Sequence, residues 1–388
     1  MHLLSPARAL LLPALALLLA PAPAQTSPSA AETKPASLRP VRAGRTDSTY
    51  AGHYRQQRHL LDAITRNQHL SWIAVGGEFA RRHQTAANAP DTNPNYVFSA
   101  YLTTMFVVVS QPRFAFTVEP AFGLRMRREG GGTGSFPIRT PSYHAVGALY
   151  FRIRMKITPP APDSANAYPG CPPPMDADNI RYQYLRLNFR HHSNGQEGAA
   201  FVAGPNGRQP NQRNGNFANN AVEAAYVIGA RTQGGAWSVA PYGSYGLPAS
   251  ADPAQNGRYL FHRVGIRLTR EEFSTWRRVL GKPTQAADAT NAQLARRNKS
   301  RFYTELNVSL GLSRLDSLTT QERRFERRRI NAEATAVYIP RFMSQTGLFV
   351  TVGYYGEDPY NSWYLHRYPF VRAGIATAAF RNVTQLFR

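Results

Sequence analysis

Arg181-Tyr182-Gln183-Tyr184-Leu185-Arg186-Leu187-Asn188-Phe189-Arg190-His191-His192-Ser193-Asn194-Gly195 reads as an alternating stretch, and the fold turns on how its two faces are shared out. In a β-strand, side chains two apart point the same way, so Leu185, Leu187, Phe189, His191 and Ser193 form one row. The other row, Tyr182, Tyr184, Arg186, Asn188, Arg190 and His192, is polar and basic. That row is wrong for the core of a soluble protein and right for the interior of a membrane barrel, whose outer wall is the apolar one. A side chain of nucleophile type and one of base type therefore end the row that faces lipid.

The rest of the chain is consistent with strands that cross a membrane. Met1 to Ala24 reads as a secretory signal: Arg8 in a short basic start, an apolar run from Ala9 to Ala20, and Ala22-Pro23-Ala24 as a small-residue cleavage site. No later segment offers the roughly 18 unbroken apolar residues that a spanning helix needs. Residues 25–68 read as a periplasmic leader, with a short helix at His53 to Arg66 through Leu60, Leu61 and Ile64. Residues 69–388 read as the barrel, an all-β, transmembrane, antiparallel, up-and-down barrel of about twelve strands. The strands are expected near 69–80, 96–109, 112–127, 141–157, 180–194, 217–232, 236–247, 257–271, 300–314, 326–340, 346–357 and 366–380. Short connections alternate with long ones, as turns and outer loops do in bacterial barrels, but 158–179 and 272–299 are long on the side expected to be short.

A net charge of +23 ordinarily raises nucleic-acid binding first. Here the basic residues alternate with apolar ones inside strands, as Arg152, Arg154 and Lys156 do against Phe151, Ile153 and Met155, so they read as lumen-facing. Nucleic acid is not an expected partner. The single cysteine, Cys171, leaves no internal disulfide and no multi-cysteine metal site.

A serine hydroxyl is a weak nucleophile until a base accepts its proton, and an imidazole two positions away on the same face can do so. The base needs a third group to hold its tautomer. Asn220 is the candidate, because it is the polar member of the apolar row Ala218, Val222, Ala224, Tyr226 and Ile228 in the next strand. Glu223 and Asn219 have the opposite parity and should point inward. The backbone N–H of Gly195 could approach a developing oxyanion closely, since glycine has no Cβ.

Asn188-Phe189-Arg190-His191-His192-Ser193-Asn194-Gly195 resembles the strand ending in His-x-Ser-Asn-Gly of the outer-membrane phospholipase A family. Pro137-Ile138-Arg139-Thr140-Pro141-Ser142-Tyr143 is similar to that family's Pro-x-Arg-x-x-x-Tyr stretch. Gly353-Tyr354-Tyr355-Gly356-Glu357, followed by Tyr360-Asn361, is similar to the loop between its last two strands. The resemblance implies a calcium-dependent hydrolase of membrane phospholipids in the bacterial outer membrane, active as a homodimer. Ser193 matches the nucleophile, His191 the base and Asn220 the orienting residue. For calcium, Gln196 matches a carbonyl donor by position, and Ser135 is the nearest serine, one residue from where the family has its own. Two other readings fit less of the chain. A lipid A deacylase would need a carboxylate as third member, with Glu223 facing lipid; a channel or structural barrel would need no chemistry at all.

Overall fold

The computed structural model describes residues 45–78, 95–128, 141–158, 179–204, 207–211, 214–232, 234–247, 262–272, 301–312, 330–340, 343, 346–360 and 368–377. The expected signal segment, the leader before residue 45, Ser135 and nearly all of the connections at 158–179 and 272–299 lie outside the described residues.

A helix, α1 (Arg45–Arg66), precedes the strands β1 (Ser71–Glu78), β2 (Asn95–Thr103), β3 (Phe106–Ser110), β4 (Phe114–Arg128), β5 (Ser142–Thr158) and β6 (Asn179–Ser193). A small hairpin, β7 (Phe201–Gly204) and β8 (Gly207–Pro210), follows β6. The rest are β9 (Ala218–Thr232), β10 (Gly235–Gly246), β11 (His262–Glu272), β12 (Arg301–Gly311), β13 (Ile330–Ile339), β14 (Thr346–Tyr355) and β15 (Tyr368–Thr377). Apart from the hairpin, each strand pairs antiparallel with its neighbours, β1 with β15, and β2 with both β1 and β4, so the sheet closes on itself. β2 and β3 both pair with β4 and are two pieces of one strand, which makes a closed barrel of twelve strands. The break falls opposite Pro120, which cannot donate to the ladder; its carbonyl still accepts the N–H of Thr104 at 3.1 Å.

The outer wall is apolar, with Ile73, Val75, Phe106, Ile153, Phe189, Leu348, Val352 and Ile375 all exposed. No helix among the described residues is long and apolar enough to cross a membrane. The lumen is polar and cross-braced. Arg267 meets Glu305 at 2.8 Å, Arg372 meets Glu333 at 2.6 Å and Arg263 meets Glu357 at 3.0 Å. Each of these charges thus has an opposite partner, which is what makes such burial tolerable.

One end of the lumen is occupied by α1. Leu60, Leu61, Ala63 and Ile64 are buried against Tyr150, Tyr182, Tyr184, Ile180 and Val227. Asp62 joins Arg66 of its own helix at 3.1 Å to Arg231 of β9 at 3.0 Å. Asn67 ends the helix by donating to the Ala63 carbonyl at 2.8 Å, one of the groups that a helix leaves unpaired at its C-terminus. The helix is longer than the sequence pattern indicates, and its apolar edge is inside the barrel. At the other end, the segment after β14 folds inward: Asn331 accepts the N–H groups of Gly356 and Glu357, both at 3.0 Å, and Asp358 binds Arg125 at 2.7 Å. Between the two ends lies a cavity of about 360 Å³ lined by Glu119, His144, Arg186, Arg190, Arg267 and others.

One expectation about the wall is overturned. The β5–β6 register pairs Arg152 with Tyr184 but Arg154 with Gln183, so Ile153 is an extra residue in a bulge. A one-residue slip flips every later side chain to the other face. Arg152 points inward, where it donates to Gln56 of α1 at 2.8 Å. Past the bulge, Met155 packs against the buried core, while Arg154 and Lys156, expected in the lumen, are exposed on the outer wall.

Candidate active site

β6 and β9 pair in register across their full length, and two of the pairs are His191 with Asn220 and Ser193 with Ala218. The outward parity of His191, Asn220 and Ser193 is continuous with that of Phe189, Val222 and Leu187, so the three polar side chains stand at one end of an apolar wall. Imidazole Nδ1 of His191 lies 2.8 Å from Oδ1 of Asn220. An amide oxygen only accepts, so the ring nitrogen facing it carries the hydrogen. The other ring nitrogen, Nε2, then holds the free lone pair of a base.

Ser193 follows two residues on, on the same face and flanked by Tyr143 of β5 and Ala218 of β9; His191 is flanked by Ala145 and Asn220. Each thus has one alanine neighbour, and His191 is exposed while Ser193 and Asn220 are half-buried. The N–H of Gly195 donates to Oγ of Ser193 at 3.1 Å. Gly195 has φ of 66°, a left-handed backbone, and a Cβ there would lie 3.3 Å from the Tyr143 ring. Both facts favour glycine.

Asn194, between them, points inward and is fully buried. It donates to the Gly215 carbonyl at 2.7 Å and accepts from Phe217 N–H at 3.0 Å and Gln196 N–H at 3.4 Å. These bonds tie the start of the 194–217 loop to its end. Gly198 and Gly215 bridge beside them, and Phe217 is buried against Phe201 of the hairpin. Asn194 thus sets the direction of the Gly195 N–H. In the sequence it reads only as half of an Asn-Gly turn signal; its inward parity is the hint that it is a brace.

Behind the outer trio, the lumen face of the same strands carries a second polar group. His192 is bonded to Oγ of Ser142 at 2.5 Å, and its ring stacks on that of His144 with centroids 3.9 Å apart. Asn219, opposite His192, is buried, and Glu223 accepts from Asn188 at 3.0 Å inside the barrel. Glu223 does not face lipid, so the geometry that a carboxylate-based triad needs is not met.

For calcium, only part of the expected donor set lies among the described residues. Asn194 Oδ1 already accepts from two amides, Gln196 stands at the start of the loop, and Ser135 lies outside the described residues. Nor do three acidic, histidine or cysteine side chains converge anywhere among the described residues.

No family model matches the sequence, and no curated protein matches it. Among solved structures, the chain is similar to outer membrane phospholipase A from Escherichia coli at 10% identity, covering 82% of this chain and 96% of that one with a TM-score of 0.44. It is similar to the same extent, 10% identity and a TM-score of 0.44, to the outer membrane phospholipase of Salmonella typhi, solved as a dimer with bound calcium, over 82% of this chain and 96% of that one.

Proposed function

We propose that the chain is an outer-membrane serine esterase that hydrolyses acyl esters of phospholipids from the lipid-facing wall of its barrel. The observation that carries this reading is the His191 Nδ1 to Asn220 Oδ1 hydrogen bond of 2.8 Å on an apolar outer wall. Polar side chains directed at lipid are costly and are retained where they act.

In this mechanism Ser193 Oγ attacks the ester carbonyl while its proton passes to His191 Nε2. Asn220 holds the imidazole in the tautomer that leaves Nε2 basic, and stabilises the imidazolium as it forms. The Gly195 N–H, already directed at Oγ, lies within reach of the oxygen that becomes negative on the adjacent carbon. The proton on His191 then goes to the departing alcohol, and a water molecule, deprotonated by the same imidazole, releases the fatty acid from Ser193.

Calcium dependence and activation by homodimerisation are parts of the resemblance that the described residues do not supply, so no step above is routed through either. The deciding experiment is fatty-acid release from mixed micelles by the refolded mature barrel, wild type against Ser193→Ala, with calcium and with chelator. Release that needs Ser193 supports the reading, and its calcium response decides the metal. Full activity of Ser193→Ala excludes Ser193 as the nucleophile.

A further inference from the structure

The bulge at Ile153 leaves three cations where a membrane barrel has little use for charge. Past it, the outward row of β5 is Arg154, Lys156 and Thr158; Lys156 stands directly opposite Arg181 of β6, and Arg154 opposite Gln183. All three cations are exposed, and none has a hydrogen bond or ion pair among the described residues. Like charges on facing positions of a strand pair repel, so this arrangement is unfavourable unless an anion sits against it.

Their depth says which anion. Ser193 and Arg181 are twelve residues apart on one outward row of β6. At about 3.3 Å per residue and a tilt of about 40°, that is roughly 30 Å along the membrane normal, slightly more than the apolar band of about 25 Å. If the site of hydrolysis lies at one membrane surface, the cations lie at the other. A second feature marks the same level: Arg181 pairs with Ala230, which pairs with Trp237, an outward indole that is 47% exposed. Indoles facing out at this height are the usual interfacial anchors of membrane proteins. Between the cations and the far end, the same wall is apolar, with Ile153, Phe151 and Phe189 exposed.

We propose that Arg154, Lys156 and Arg181 bind the phosphate of an anionic phospholipid in the leaflet opposite the site of hydrolysis, its acyl chains lying along Ile153, Phe151 and Leu185. The lipid is a bound ligand of the barrel and not its substrate. The proposal rests on the reading above, in which the barrel spans the membrane with Ser193 at one surface, but its test requires no hydrolysis.

The test uses ether-linked lipids, which an esterase cannot cleave. Wild-type protein and an Arg154→Gln/Lys156→Gln/Arg181→Gln variant are inserted into vesicles of ether phosphatidylcholine with a minority of ether phosphatidylglycerol. Insertion is checked by heat-modifiable migration, and retained lipid is identified by native mass spectrometry after extraction. Wild type is expected to keep phosphatidylglycerol in preference to phosphatidylcholine. The variant should insert equally and lose the preference by about fivefold per charge removed, while Arg154→Lys/Arg181→Lys keeps it. Equal retention by inserted wild type and variant would overturn the proposal. So would inorganic phosphate binding to wild type without any lipid preference, which would make the ligand a free anion. Wild type that inserts into no bilayer would overturn the membrane reading and the proposal with it.

Discussion

The two faces of β6 and β9 near the 194–217 loop are built from nearly the same side chains and differ in almost everything else. Outward stand His191, Asn220 and Ser193; inward, one residue along each strand, stand His192 and Asn219, with Ser142 from β5 completing a second serine and histidine pair. The inner serine lies 2.5 Å from its imidazole and 3.1 Å from a second histidine, His144, yet it is buried and faces only the cavity inside the barrel. Residue type and hydrogen-bond distance therefore do not single out the reactive pair. In the proposed reading access does: the outer trio stands on the apolar outer wall and the inner pair does not.

Outer substitutions are therefore expected to act on turnover and inner ones on stability. The largest effect is expected at Ser193→Ala, which should lose about 10⁴-fold or more in fatty-acid release and keep the wild-type melting temperature. Loss of activity in Ser142→Ala on the same scale would break the comparison. Next, Asn220→Ala should lower kcat about a hundredfold, the low end of what a positioned base contributes, whereas Asn219→Ala should leave kcat near wild type. Equal losses at both positions would mean that the strand pair is sensed as a whole.

Gly195→Ala is expected to cost about tenfold in kcat, because the roughly 1–2 kcal/mol that a left-handed backbone costs a residue with a Cβ is relieved by turning the residue-195 N–H away from Ser193 Oγ. Combining it with Tyr143→Ala removes the contact with the ring but not the backbone strain, so most of the loss should remain. On the inner face, Ser142→Ala should destabilise the barrel by about 1–3 kcal/mol in chemical denaturation, the cost of depriving a buried ring nitrogen of its partner.

The smallest effect is a pH dependence at the α1 end. Burial by itself raises the pKa of Asp62, but Arg66 and Arg231 more than offset it and hold the carboxyl below its ordinary value. A depressed carboxyl contributes its stabilisation in full above the unfolded value, near pH 4, and loses it as pH falls through the lowered folded value. Acidification across that range should therefore lower the melting temperature of wild type more than that of Asp62→Asn. Parallel curves would show that the ion pairs around α1 do not set its stability.

Much of the barrel is legible in the chain. Alternation is a local property, so the outward rows of β4, β6 and β9 and the shared face of His191, Ser193 and Asn220 can be read two residues at a time. The same rule fails at Ile153, because a bulge exists only relative to a partner strand, and β5 alone cannot show that Arg154 has changed sides. It fails again at β2 and β3, where the interruption answers Pro120 of another strand. Asn194 is legible as a turn residue but not as a brace, since its partners at Gly215 and Phe217 lie across a loop whose path the sequence does not specify.

What the amino-acid order settles by itself is the period: twelve alternating segments, an apolar face on each, and three polar residues in phase on two of them. Tertiary structure alone decides which phase each face meets and who stands opposite whom. It puts α1 into the lumen, turns Arg154 and Lys156 outward, and sets Asn220 across from His191 and not one residue away. The reason is physical: a strand's faces follow from backbone geometry, which is local, whereas register and closure follow from hydrogen bonds and ion pairs between residues far apart in the chain.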